Sequence, residues 1–115
     1  MNDLETALLQ SVVGDAQPLL CLETNTRVDA GGWLKKQVPV WLCVMDDQWV
    51  VLAVGRRHYL QAVPLADCAE SHYCAASGTL VIAPTEELEL NRLAMSPADA
   101  LKVLEINQKR ETYDA

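Results

Sequence analysis

Phenylalanine is absent from the 115 residues of this sequence, and basic residues are scarce. Nine Lys and Arg stand against sixteen Asp and Glu, which gives a formal net charge of −7. Because a charge of this sign repels nucleic acid and anionic membranes at long range, we expect no nucleic-acid partner. The core must be built from Leu, Val, Ala and three Trp, and a chain of this length can bury one such core without disulfides or metals.

Motifs that carry a catalytic mechanism are also missing. The sequence has no Gly-rich phosphate loop, no GxSxG sequence and no adjacent Cys and His that suggest a nucleophile with its base. Cys68, His72 and Cys74 are metal-ligand residue types, but three ligands on one strand point in parallel rather than converge, and zinc needs a fourth. We therefore expect no enzymatic activity, no metal and no cofactor.

The cysteines and the N-terminal residues indicate the compartment. Four cysteines are present and none forms a CxxC pair; they are Cys21, Cys43, Cys68 and Cys74. The first residues, MNDLETALLQSVVG, contain Asp3 and Glu5 but no basic residue, unlike a secretory signal. We expect a cytoplasmic protein whose cysteines are free thiols that pack like small hydrophobic residues.

Residues 41–54, WLCVMDDQWVVLAV, are strongly apolar and carry Asp46 and Asp47 in the middle. A membrane-spanning helix needs about 20 apolar residues, and two carboxylates in lipid cost several kcal/mol, so we expect no transmembrane segment. The β-branched and aromatic content instead favours a hairpin. With a loop at residues 46–48, Met45 would lie opposite Trp49.

This register would give the hairpin one aliphatic face and one mixed face. The aliphatic face, expected in the core, would hold Val38, Val40, Leu42, Val44, Val50, Leu52 and Val54. The outer face would hold Trp41, Cys43, Met45, Trp49, Val51 and Ala53. Large exposed apolar patches are unusual on soluble monomers. We therefore expect either that the N-terminal helix covers the outer face, or that Trp41, Cys43, Met45 and Trp49 form an interface with a second subunit or a partner protein.

Two helices are predicted at the ends of the chain, with strands between them. Residues 3–13 have apolar residues at helical spacing, a capping box from Asn2 and Glu5, and Gly14 as a stop. The segment SPADALKVLEINQKR has Ser96 as N-cap and Pro97 at the first helical position. Between them, short apolar segments separated by turn residues predict seven antiparallel strands. The strands are LLCLET, the two of the hairpin, HYLQAV, residues 67–74, TLVIA and EELELNRL.

Two further segments are distinctive: WVVLAVGRRHYLQAVPLADCAESHYCAASGTLVIAP and, after it, SPADALKVLEI. The first is similar to the strand–turn–strand, [IV]PL-x-[DE], strand and GTL run of bacterial pleckstrin-homology-like (PH-like or GRAM-like) domains. The second resembles the closing helix of these domains. The resemblance covers roughly residues 17–108. The sequence departs from the family at Cys68, where an aliphatic residue is usual.

The resemblance implies a mainly β fold with α-helices, namely a seven-stranded half-open barrel capped by a C-terminal helix, plus an extra N-terminal helix. The segments would be residues 1–15 for the N-terminal helix, 16–110 for the PH-like domain and 111–115 for a tail. It also implies a non-catalytic binding role, because such domains bind phosphoinositides in some members and peptides in others. We expect a bacterial interaction module that binds a protein partner or forms a homo-oligomer.

The alternative is that basic loops bind an anionic ligand or a phospholipid headgroup. The loops 27–37 and 55–57 share one end of a meander and hold five of the nine basic residues against one acid, Asp29. These basic residues are Arg27, Lys35, Lys36, Arg56 and Arg57. At about 1 kcal/mol per basic residue near an anionic surface, they would give measurable binding, less the repulsion from the acidic remainder. The simpler explanation is that they only keep the turns solvated.

Overall fold

The computed structural model describes residues 1–29, 37–55, 57–84 and 90–114, and within these the chain is mainly β. In chain order the elements are α1 (Asp3–Val13), β1 (Leu20–Asp29), β2 (Gln37–Val44), β3 (Gln48–Ala53), β4 (Tyr59–Pro64), a 3-10 helix (Leu65–Asp67), β5 (His72–Cys74), β6 (Thr79–Val81), β7 (Arg92–Ala94) and α2 (Pro97–Asp114). The strands form one antiparallel sheet in the order β1-β2-β3-β4 and a second in the order β5-β6-β7. The expected mainly β chain with seven strands is confirmed for the described residues, and the sheets are open rather than closed into a barrel.

Helix α1 begins and ends where its sequence predicts. The Asn2 side chain accepts a hydrogen bond from the Glu5 backbone N–H at 2.8 Å, and the Glu5 carboxylate accepts one from the Asn2 N–H at 2.9 Å. This reciprocal pair satisfies two of the four N–H groups that every helix start leaves open. Gly14 closes the helix with φ of 63°, a conformation that costs a residue with a Cβ.

Helix α2 begins at Pro97, where the side-chain oxygen of Ser96 accepts a hydrogen bond from the Asp99 N–H at 3.2 Å. Its first turns bury Ala100 and Val103 against the sheets. Among the described residues, no helix combines the length and the apolarity needed to cross a lipid bilayer.

The register of the β2–β3 hairpin differs by one residue from the sequence prediction. Met45 N–H donates to the Gln48 carbonyl at 2.8 Å, so the turn consists of Asp46 and Asp47 alone. Val44, not Met45, is therefore the residue opposite Trp49. A shift of one residue moves every following side chain to the other face of the sheet. Trp49, Val51 and Ala53 thus lie on the core face, while Val50 and Leu52 lie on the outer face, and the predicted register was wrong.

Both faces of this hairpin are buried. The main core lies between the two sheets and the first turns of α2, and it consists of Val40, Leu42, Val44, Trp49, Val51, Ala53, Val63, Cys68, Leu80, Ile82, Leu93, Met95, Ala100 and Val103. A second cluster lies on the opposite face of the hairpin, against α1, and consists of Leu9, Cys43, Met45, Val50 and Leu52. The four-stranded sheet therefore has apolar cover on both sides.

Strand β1 belongs to the four-stranded sheet and also contacts β7 of the three-stranded sheet, at a break in its register. The pairing with β2 shifts between Glu23 and Arg27. Within this break the buried Thr24 hydroxyl donates to the Val40 carbonyl at 2.7 Å, and the Thr26 hydroxyl accepts from the Ala94 N–H at 2.8 Å. Two threonine side chains thus supply hydrogen bonds where the regular ladder is interrupted, and the second one joins β1 to β7.

Candidate interaction face on the N-terminal helix

The outer face of the β2–β3 hairpin, expected to be covered or to form an interface, is covered by α1. Leu9 of α1 is only 5% exposed and packs in the second cluster with Cys43 and Met45. Trp41 is half-buried at the margin of this cluster. Of the two explanations for the apolar outer face, the structure shows the intramolecular one. Trp49, the fourth residue predicted for the interface, lies instead in the main core because of the shifted register.

The helical spacing that predicts α1 is that of Leu4, Ala7, Leu8, Ser11 and Val12. These are not the positions that the sheet buries most fully. The structure instead buries Glu5 and Leu9, one turn apart. Glu5 tolerates this position because its carboxylate is held by the Asn2 N–H in the capping box. Helix α1 is apolar on two adjacent sides, and the sheet takes only one of them.

The remaining side of α1 is exposed and apolar. We define the α1 outer face as Leu4, Ala7, Leu8, Ser11 and Val12, positions that recur at helical spacing. Leu4 is 67% exposed and Val12 is also exposed, while Leu8 is half-buried and packs against the second cluster at the margin of this face. Among the described residues five large hydrophobic side chains are exposed, and four of them lie in residues 1–19: Met1, Leu4, Val12 and Leu19. The fifth is Leu101, on α2. Two of these side chains, Leu4 and Val12, lie on α1 itself.

The surroundings of the α1 outer face are acidic. Residues 1–26 contain no Lys, Arg or His, and their four acidic residues are Asp3, Glu5, Asp15 and Glu23. Asp3 and Asp15, at the two ends of the helix, are exposed, and so is Glu23 on β1. An apolar stripe with carboxylates at both ends is complementary to an apolar stripe flanked by basic side chains.

The predicted anion-binding residues are only partly described. Arg27 donates from its guanidinium to the Thr24 and Thr26 carbonyls at 2.7 and 3.2 Å, and it lies 3.7 Å from a Glu23 carboxylate oxygen. The Arg27 guanidinium therefore donates hydrogen bonds to the backbone of its own strand. Arg57 is exposed. Lys35, Lys36 and Arg56 lie outside the described residues.

The three metal-ligand residue types at positions 68–74 do not share one strand. Cys68 follows the 3-10 helix and is fully buried, with its Sγ 3.5 Å from the Leu65 carbonyl oxygen. His72 is exposed and Cys74 half-buried, at the two ends of the short strand β5. Within the described parts of the chain, no three His, Cys, Asp or Glu side chains lie close enough together to hold a metal ion.

Comparison with known proteins gives no match: no family model, no curated protein and no solved structure matches this chain. Function must therefore be inferred from the geometry of the chain itself. In that geometry the feature that calls for an explanation is the α1 outer face. The spacing of its residues predicted the helix, but not that this side of it would remain exposed. One available signal is the capping box, which gives the Glu5 carboxylate a hydrogen bond and so permits its burial.

Proposed function

We propose that this chain is a non-enzymatic, PH-like interaction module of the cytoplasm that binds a partner protein through the α1 outer face. The partner would present a basic, amphipathic segment. The observation that carries the proposal is the concentration of exposed apolar side chains in residues 1–19, with Leu4 67% exposed. The succession of four strands, three strands and a closing helix agrees with the order that the resemblance to PH-like domains implies.

The apolar part of the face supports a protein partner. Full burial of a Leu or Val side chain is worth about 1.5–3 kcal/mol, and contiguous exposed apolar patches are typical of binding surfaces. Leu4, Leu8 and Val12 are four residues apart in succession, so they present one row along the helix axis. A row of this kind suits packing against a second helix, in which side chains at the same spacing interdigitate.

The charges favour a basic partner over a second copy of the chain. A symmetric homodimer brings the same surface patch against itself, so the carboxylates of Asp3 and Asp15 would face those of the partner copy or lie close to them. At physiological ionic strength the screening length is about 8 Å, so charges closer than this at the rim of an interface are only partly screened from one another. A partner with Lys or Arg beside its apolar residues converts this repulsion into attraction.

Binding of an anionic ligand by the basic loops has weaker support. Arg27 is engaged with two backbone carbonyls and lies beside Glu23. Of the other four residues in this alternative, only Arg57 is described, and its exposed side chain does not by itself form a site. The described residues therefore favour the α1 outer face.

The experiment measures the solution mass of the full chain by size-exclusion chromatography with light scattering, and then the binding of a labelled peptide by fluorescence anisotropy. The probe is a synthetic amphipathic helical peptide with one row of Leu and flanking Lys. A scrambled peptide of the same composition, without the row, is the control. We expect a monomer that binds the amphipathic peptide and discriminates against the scrambled one.

Two variants make the test specific. Leu4→Glu places a charge in the centre of the proposed face and should weaken binding at least tenfold, the equivalent of about 1.4 kcal/mol. Leu101→Glu is the matched control, because Leu101 is 57% exposed on α2, away from the face. Equal losses in both variants would contradict the proposal. A stable dimer that Leu4→Glu converts to monomer would also contradict it, because the occupant of the face would then be a second copy.

A further inference from the structure

A cavity of about 300 Å³ lies beside α1, between the helix and the segment that leads to β1. Leu9 and Val13 of α1 line one side, and residues 14–18 line another. Cys21, at the start of β1, also lines the cavity and is half-buried. A small molecule that enters this cavity therefore lies beside a cysteine.

Behind this thiol lies a second one. Cys21 and Cys43 occupy directly opposed positions of the β1–β2 ladder, and their Sγ atoms are 3.3 Å apart. Opposed residues of an antiparallel pair have Cα atoms about 4.5–5.5 Å apart, and disulfides form across about 4.4–6.8 Å. Rotation of the two side chains is thus enough to bring the sulfurs to bonding distance. Cys43 is fully buried, so its sulfur is closed to direct attack by a reagent from solvent.

We propose that Cys21 and Cys43 form a reversible thiol–disulfide couple, which a low-molecular-weight disulfide of the glutathione disulfide class oxidises through the cavity. This inference is independent of the proposed interaction function. The sequence predicts that all four cysteines act only as small hydrophobic residues. Cys21 and Cys43 differ from the other two because, among the described strands, they alone are cysteines opposed in a ladder.

The reaction has two exchange steps. The Cys21 thiolate attacks one sulfur of the small disulfide, the S–S bond of that disulfide breaks, and one small thiolate leaves and takes up a proton. Cys43 then loses its proton to solvent and attacks the Cys21 sulfur of the mixed disulfide, which expels the second small thiolate. In total two cysteine thiols are oxidised to one disulfide, and one small disulfide is reduced to two thiols.

The environments of the two sulfurs assign the order of these steps. Burial, together with the hydrogen bond between the two sulfurs, raises the pKa of the Cys43 thiol well above its ordinary value. Cys43 therefore stays protonated in the reduced protein and is a poor first nucleophile. Cys21 borders the cavity and makes the first attack, and Cys43 resolves the mixed disulfide once the two sulfurs are forced together.

The test treats the reduced full chain with glutathione disulfide without denaturant, blocks the remaining thiols with an alkylating agent, and analyses a tryptic digest by mass spectrometry under non-reducing conditions. Trypsin places Cys21 in residues 1–27, Cys43 in residues 37–56, and both Cys68 and Cys74 in residues 58–92. We expect the first two peptides to be linked by a disulfide in monomeric protein, with both thiols lost together. Reduction with dithiothreitol should restore both.

Single variants separate the two roles. Cys43→Ala should stop at one glutathione bound to Cys21, and Cys21→Ala should leave Cys43 unmodified. Cys68→Ala, which removes a buried cysteine elsewhere, is the control and should behave like the original chain. The proposal is overturned if the original chain keeps glutathione on Cys21 while Cys43 remains alkylatable after unfolding, or if the link forms only between two molecules. The measurement on the original chain decides this even where a variant fails to fold.

Discussion

The indole N–H of Trp49 donates a hydrogen bond to the side-chain oxygen of Asn107 at 3.3 Å, across 58 residues of sequence. Trp49 lies on β3 and Asn107 on α2, so this bond ties the four-stranded sheet to the closing helix. The other tryptophan of the hairpin differs: Trp41 is half-buried and its indole nitrogen is buried without an acceptor among the described residues. The two side chains are chemically identical, but they lie on opposite faces of the sheet. The indole N–H of Trp49 has an acceptor, and that of Trp41 has none among the described residues.

This difference predicts unequal costs for the same substitution. Trp49→Phe removes a satisfied hydrogen bond and leaves a void in the main core, so the free energy of unfolding should fall by about 2–3 kcal/mol. Trp41→Phe also removes ring volume but relieves a buried, unpaired N–H, so its cost should stay below about 1 kcal/mol. Urea denaturation of both variants, followed by circular dichroism, measures the two costs. Equal costs would mean that the hairpin has the register first predicted from the sequence.

The orientation of α1 predicts a second contrast. Leu9→Ala opens a cavity in the cluster beneath the helix and should cost about 2–3 kcal/mol. Leu4→Ala changes an exposed side chain and should remain within about 0.5 kcal/mol of the original chain. Thermal and urea unfolding check both values, and hydrogen exchange of the α1 amides should accelerate in the Leu9 variant alone. If Leu4→Ala proves the costlier substitution, the helix is turned the other way.

Gly14 provides a test of backbone conformation without side-chain packing. Its φ is 63° and its ψ is −130°, a combination that residues with a Cβ rarely adopt, and a Cβ added there would meet no atom within 4 Å. Gly14→Ala should therefore destabilise the chain by about 1–2 kcal/mol through backbone strain alone. Thermal unfolding measures the loss, with the exposed neighbour Asp15→Ala as the control. An unchanged stability would contradict the assigned conformation.

Cys74 should react with alkylating agents at lower pH than an ordinary cysteine. Hydrogen bonds from the Ser77 side chain, and then from its backbone, lower the pKa of the Cys74 thiol. Because a lower pKa means more thiolate at neutral pH, Ser77→Ala should slow the reaction of Cys74 with iodoacetamide and shift its pH profile upward. Ser77→Thr keeps the hydroxyl and should retain the faster rate. Peptide mass spectrometry follows the rate, and identical profiles for all three proteins would refute the role of Ser77.

The start of each helix and the end of α1 could be predicted because their signals are local, whereas α2 continues to Asp114, into the segment 111–115 that was expected to be a tail. Asn2 and Glu5 are three residues apart and complete the cap of α1 by themselves, and Ser96 with Pro97 does the same for the start of α2. Such contacts require no knowledge of the rest of the fold. Strand length depends on partners distant in sequence, so the strands predicted at residues 67–74 and in TLVIA are shorter in the structure, at His72–Cys74 and Thr79–Val81.

The hairpin register and the candidate site could not be predicted for one shared reason. Alternation identifies the core face of a strand only when the other face is polar, and here α1 buries the second face as well. Val50 and Trp49 are both fully buried on opposite faces, so the criterion that favoured the three-residue turn, an aliphatic face kept separate from a mixed one, selected the wrong register. The position of α1 in turn determines which of its own two apolar sides remains exposed.

The bond between Thr26 of β1 and Ala94 of β7 has a consequence for synthesis of the chain. These residues are 68 positions apart, and at about 5–20 residues per second roughly 3 to 14 s separate their translation. During that interval β1 has been synthesised but β7 has not. The contact between the sheets is thus completed late, and long-range contacts of this kind slow folding. Until β7 is made, the part of β1 around Thr26 lacks this contact, and in the folded domain β1 is still the edge strand of the four-stranded sheet.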